Sequence, residues 1–126
     1  EGIKLNVTAI LSPRQVAEVA RALSDETPAI ISVFAGRIAD SGRDPVPIMQ
    51  EALQILAGHP KAELLWASPR EVFNIVQAAA IGCHIITVTP DLLANTVNLG
   101  RDLEDYSLDT VKMFYNDALK SRFQIG

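Results

Sequence analysis

The chain has 126 residues, 48% of them hydrophobic and 21% charged, which suits one compact globular domain. Its formal charge of −4, without a Lys/Arg stripe, argues against nucleic acid, whose binders must neutralise phosphates. A single cysteine excludes an internal disulfide and a thiolate zinc cluster, and no apolar run approaches the roughly 20 residues that span a bilayer.

Glu1-Gly2-Ile3-Lys4 leads straight into structural sequence, so no signal peptide is expected, and a start at Glu1 rather than Met reads as a processed or cut product. Ile3 to Ile10 is apolar and β-branched, a first strand with Asn6 and Thr8 on one parity. Ser12-Pro13-Arg14-Gln15 follows as a capping box: the serine accepts the N3 amide, glutamine reaches back, and proline at N1 loses no bond. A helix through Leu23 should then bury Val16, Val19, Ala20 and Leu23.

After a break over Asp25 to Pro28, Ala29 to Phe34 reads as a second strand, and Gly36, Ser41, Gly42 and Pro45 predict a long loop. Pro47 to Leu56 is the second amphipathic helix, stopped by Gly58, His59 and Pro60. Glu63 to Ser68 is a third strand, and Ser68-Pro69-Arg70-Glu71 repeats the capping-box pattern to open a third helix that Gly82 closes. Ile85 to Val88 is a fourth strand, and Thr89-Pro90 opens a fourth helix over Leu92 to Val97. A last helix over about Leu108 to Leu119 offers Val111, Phe114, Tyr115 and Ala118 for docking.

Successive βα units predict an α/β fold with a parallel sheet and right-handed crossovers. An open sheet buried on both faces should read almost wholly apolar. Here one parity of each strand turns polar toward its C-terminal end, at Asn6, Thr8, Ser32, Ser68, Thr87 and Thr89. Barrel enzymes place their sites at that mouth, and a complete barrel needs about 250 residues. The expected architecture is therefore half of a TIM (β/α)8 barrel.

Several residues carry competing readings. Asn6 and Thr8 in an apolar strand cost roughly 1–3 kcal/mol each if buried unsatisfied, so they are either a partnered core pair or part of a site. Ser68 with Arg70 at N2, and Arg37 from the neighbouring strand, could hold an anion at a helix N-terminus, or form a plain cap with surface arginines. Phe34 reads as ordinary packing, and Trp66 as core or mouth wall. Cys83 and His84 fall at the start of the fourth strand, face opposite ways, and read as packing rather than a catalytic or metal pair. Asp40, Asp44 and Asp91 read as loop and helix-start residues, with Asp91 alone near the mouth. No metal or cofactor is implied.

Four linked motifs resemble transaldolases in content and order. They are Gly2-Ile3-Lys4-Leu5-Asn6-Val7-Thr8, Ser32-Val33-Phe34-Ala35-Gly36-Arg37-Ile38, Ala67-Ser68-Pro69-Arg70 and Thr87-Val88-Thr89-Pro90-Asp91-Leu92-Leu93. The chain is similar to that family's C-terminal half, barrel strands five to eight plus a terminal helix and tail over 108–126. The resemblance implies transfer of a dihydroxyacetone unit between sugar phosphates through a Lys Schiff base. It matches Asn6 and Thr8 to residues near the Schiff base and its catalytic water, Ser32 and Phe34 to the dihydroxyacetone site, and Arg37, Ser68 and Arg70 to the phosphate anchor.

The chain departs from the family's pattern at Val33, Pro69 and Glu71, where the family often has Pro, an aromatic and Asn. The family's acid/base carboxylates and Schiff-base Lys lie on strands one, three and four, which have no counterpart here. Lys4, Lys61, Lys112 and Lys120 fall at a strand start, in turns or on helices, not in the desolvated setting that such a lysine needs. The expected partners are sugar phosphates and either the N-terminal half of the barrel or another copy of the chain, as a homo-oligomer in the cytoplasm. The alternatives are a fructose-6-phosphate-aldolase-like enzyme, which often carries Tyr where this chain has Phe34, and a non-catalytic self-associating half-barrel that binds sugar phosphate. The Phe114, Tyr115 and Phe123 segment could close the mouth or dock on a neighbouring subunit.

Overall fold

Short β-branched and apolar segments form the strands Leu5–Ile10 (β1), Ala29–Val33 (β2), Ala62–Trp66 (β3) and Ile85–Ile86 (β4). The computed structural model describes residues 5–125; Gly2 to Lys4 and the side chains of Lys120 and Phe123 lie outside the described residues. The chain forms two compact units, 1–95 and 96–126. Among the described residues the sheet is parallel, in the order β1-β2-β3-β4. Each strand lies beside its sequence neighbour, as in a β/α barrel; an open doubly wound sheet reverses at a switch point. The architecture is that of half a (β/α)8 barrel.

The first unit carries the helices Pro13–Ala22 (α1), Ala35–Asp40 (α2), Pro45–Leu56 (α3), Val72–Ile81 (α4) and Pro90–Ala94 (α5). Ala29, Ile31, Val33 and Leu64 are completely buried and share a core with Val16 and Ala20 of α1, Met49, Ala52 and Leu56 of α3, and Ala78 of α4. A buried Leu or Ile of this kind contributes roughly 1.5–3 kcal/mol. Asn6, Ile30 and Ser32 alternate with this set along their strands, so they occupy the opposite face.

The first capping box forms as predicted: Gln15 N–H donates to Ser12 Oγ at 3.3 Å, and Gln15 Oε1 accepts the N–H groups of Ser12 and Leu11. Other expectations need correction. The long loop predicted after β2 is α2, closed by Ser41 Oγ donating to the Ile38 carbonyl at 2.7 Å and by Gly42 at φ 85°. Asp44 caps α3 through the Val46 N–H, so that helix starts at Pro45 rather than Pro47. The fourth strand is only Ile85–Ile86, and α5 gives way to a 3-10 turn over Asn95–Asn98.

In the second unit the last helix, Leu103–Ile125 (α6), is longer than the periodicity predicts. Arg101 lies 4.9 Å from the Tyr106 ring centre and pairs with Asp109, and that hydrogen-bonded guanidinium holds the Asp109 carboxyl below the usual carboxylate range. Val111, Phe114 and Tyr115 are exposed in this chain.

Cys83 and His84 do not diverge. Cys83 Sγ donates to the Leu64 carbonyl at 3.3 Å, and His84 Nδ1 accepts the Leu64 N–H at 3.0 Å, so both satisfy the edge of β3 before β4 begins. Burial pushes the Cys83 thiol up, which keeps it protonated and disfavours the thiolate. Alkylation of native Cys83 at pH 8 is expected to run at least about tenfold slower than that of the urea-unfolded chain. Equal rates would remove the packing role.

Candidate active site

The residues singled out by the sequence lie along β1 and β2 and in the connections that leave β2 and β3. Asn6, whose register partner is Ile30, meets Ser32 diagonally across the neighbouring strands, and Ser32 Oγ donates to Asn6 Oδ1 at 3.3 Å. Ser32 is buried, which explains why it needs this partner. Thr8 sits in a register shift between Val7 and Ile10, where Ala9 adopts φ 62°, and it is exposed. Such a bulge bends a strand and re-aims its side chains. Phe34 is half-buried at the N-cap of α2.

The connection between β3 and α4 differs from the predicted cap. Ser68 has φ 59°, in the left-handed region, and does not cap the helix. Glu71 is the N-cap, and Asn74 Oδ1 accepts the N–H groups of Arg70 at 2.8 Å and Glu71 at 2.9 Å. Arg70 therefore precedes the helix instead of standing at N2. Its own amide and that of Glu71 are taken by Asn74, so an anion here would be held by side chains rather than by these two amides.

Helix α2 docks on this connection at successive points. Gly36 N–H donates to the Ala67 carbonyl at 3.3 Å, and Ala67 N–H donates to the Val33 carbonyl at 2.9 Å. A Cβ on Gly36 would lie 1.7 Å from the Ser68 carbonyl oxygen, so only glycine permits this approach. One turn on, Asp40 Oδ2 accepts from Arg70 Nη2 at 2.8 Å. The helix thus seats Gly36 on the Ser68 backbone and ties down Arg70 through Asp40.

Arg37 and Arg70 line different cavities. Arg37 lines one of about 450 Å³ with Arg43, Leu11, Ile38 and Ile48. Arg70 lines one of about 50 Å³ with Trp66, Glu71 and Asn74. Trp66, 1% exposed, belongs to the core. Its Nε1–H has no partner among the described residues.

Sequence reasoning missed Gly36, Asp40 and Asn74 as parts of this arrangement. The glycines and proline predict a loop over Gly36 and Asp40, whereas both lie on α2, Gly36 in its first turn and Asp40 at its end. Asn74 was detectable: it stands three residues after Glu71, the offset of a capping pair. Among the described residues no cluster of three or more His, Cys, Asp or Glu could hold a metal, and no helix is long and apolar enough to cross a membrane.

A family model described as transaldolase/fructose-6-phosphate aldolase matches residues 1–125. A probable transaldolase of Nitrosopumilus maritimus (strain SCM1) is 36% identical over 95 residues, covering 74% of this chain and 41% of that protein. One from Caldicellulosiruptor saccharolyticus is 37% identical over 90 residues, covering 70% of this chain and 40% of that protein. One from Mesorhizobium japonicum is 39% identical over 95 residues, covering 75% and 42% respectively. The matched stretch spans about two-fifths of these relatives' length. With its parallel half-barrel and a family match over nearly its whole length, the chain belongs to the transaldolase/fructose-6-phosphate aldolase family.

Proposed function

We propose that this chain is the C-terminal half of a transaldolase-type barrel, which transfers a dihydroxyacetone unit between sugar phosphates through a lysine Schiff base. The lysine is supplied by the N-terminal half of the barrel. Within this chain Asn6 and Thr8 position the Schiff base and its water, and Ser32 and Phe34 line the dihydroxyacetone site. Arg37, Ser68 and Arg70 anchor the phosphate, where guanidinium groups give charge-assisted hydrogen bonds to phosphate oxygens.

The observation that carries this reading is the docking of α2 on residues 67–70, where Gly36 abuts the Ser68 carbonyl and Asp40 tethers Arg70. Two further observations support a complementary half. Among the described residues β1 and β4 each have one strand neighbour, and unpaired edges recruit partners. The relatives extend well beyond the matched stretch. Lys61 supports no Schiff base, since Nζ donates to the Glu26 carbonyl at 2.9 Å just before β3 begins, at the N-terminal end of that strand.

Borohydride reduction in the presence of fructose 6-phosphate tests the proposal. The chain alone is expected to acquire no adduct. Joined with a polypeptide carrying the preceding βα units, it should support one on that polypeptide's lysine. A reduced adduct on Lys61 or Lys112 would overturn the assignment. The family description also covers fructose-6-phosphate aldolase, so donor choice is the second test. Use of free dihydroxyacetone as donor would favour the aldolase; dependence on a ketose phosphate, the outcome toward which Phe34 leans, would favour the transaldolase. A self-associated species that binds sugar phosphate without turnover would instead favour a non-catalytic half-barrel.

A further inference from the structure

We infer that Asp40 is the positioning residue for Arg70, fixing the guanidinium at the mouth so that the site favours phosphorylated over unphosphorylated ligands. The inference rests on the phosphate-anchor reading given above and adds to it a residue outside the matched motifs. Arg70 stands ahead of α4, in a connection where its backbone is pinned by Asn74 Oδ1. Its side chain would otherwise be free: it is 52% exposed, and Asp40 is its ion-pair partner at 2.8 Å. A free arginine carries substantial rotamer freedom, which any phosphate it binds would have to remove.

Asp40 is itself held. It ends α2, whose first turn is locked on the 67–68 backbone by the Gly36 approach, so the carboxylate is carried by a helix already seated on the connection it serves. The pair engages Nη2, which leaves the remaining N–H donors of the planar guanidinium for a ligand. Stability does not account for the pair. Both side chains are 52% exposed, and solvent-screened pairs of this kind contribute little to folding.

Positioning and plain electrostatics predict opposite signs. Removing a carboxylate near a phosphate strengthens anion binding through charge alone, whereas releasing Arg70 weakens it. The test is a titration of the full chain with inorganic phosphate, followed by the NMR shifts of the Ser68 and Arg70 amides. Asp40→Asn is expected to weaken binding about fivefold to tenfold, the order expected from releasing part of one arginine's rotamer freedom. Asp40→Glu should recover part of that loss, and Arg70→Ala should lose at least as much as Asp40→Asn. Thermal midpoints of the two Asp40 variants should match the wild type, which a merely structural role would not give.

If Asp40→Asn binds phosphate as tightly as the wild type or more tightly while Arg70→Ala is weakened, the positioning role is overturned and the anchor reading stands. If the wild-type chain shows no phosphate-dependent shift at either amide, both are overturned together.

Discussion

Gly36→Ala is expected to lower stability by about 3 kcal/mol and to weaken phosphate binding with it, since overpacking a filled site costs roughly 1–3 kcal/mol or more. The added methyl would stand 1.7 Å from the Ser68 carbonyl oxygen and 2.8 Å from its carbonyl carbon. Those are backbone atoms, so no side-chain rotation relieves the clash. Intrinsic helix propensity works the other way, favouring Ala over Gly by about 1 kcal/mol. The steric term is larger and decides the sign. The cheapest relief moves α2 away from residues 67–70, which breaks the Gly36–Ala67 hydrogen bond and separates Asp40 from Arg70. A urea titration monitored by circular dichroism should show a lower midpoint at unchanged slope, the pattern of a pure stability change. An unchanged midpoint would mean that α2 has room to spare.

Trp66→Ala should cost about 3–5 kcal/mol, the range for emptying a large aromatic from a core. The side chain is 1% exposed and belongs to the cluster that joins the sheet to its helices. Against the about 5–15 kcal/mol that holds a typical domain together, this loss leaves little reserve. Trp66→Phe should cost far less, about 1–2 kcal/mol, because two effects offset. The smaller ring gives up packing, but it also removes a buried N–H without a partner among the described residues, whose burial costs about 1–3 kcal/mol. The cavity beside the ring, about 50 Å³ and lined also by Glu71 and Asn74, has room for about one water that would moderate this gain. Trp66 is the sole tryptophan, so circular dichroism rather than fluorescence must follow both variants. Equal losses for Ala and Phe would show that the indole nitrogen matters more than the ring.

Much of the fold was legible in residue order because the signals were local. The strand at Ala29, the capping box at Ser12 and the helix ending at Leu56 each depend on groups within a few residues, and each appears close to where the pattern places it. Polar residues at alternate strand positions marked a second face of the sheet, and the hydrogen bond between Ser32 and Asn6 shows that these two share it. The loop predicted over Gly36 to Pro45 failed for the opposite reason. Glycine there signals a break in isolation, but in the folded chain it marks where a helix meets a carbonyl.

Ser12 and Ser68 show where the boundary lies. Both begin the same Ser-Pro-Arg pattern, and the sequence by itself determined that each follows a strand and precedes a helix. At Ser12 local hydrogen bonds suffice, and the serine caps its helix. At Ser68 the tertiary structure decided otherwise. Docking of Gly36 on its carbonyl accompanies a left-handed backbone at Ser68, and the cap passes to Glu71, whose N–H Asn74 accepts. The pairing of Asp40 with Arg70 was equally beyond reach of local pattern, since the two lie 30 residues apart and meet only when α2 seats on the next strand's exit. Caps and periodicities are set within one turn of chain, whereas a close approach between two backbones exists only after the sheet has assembled.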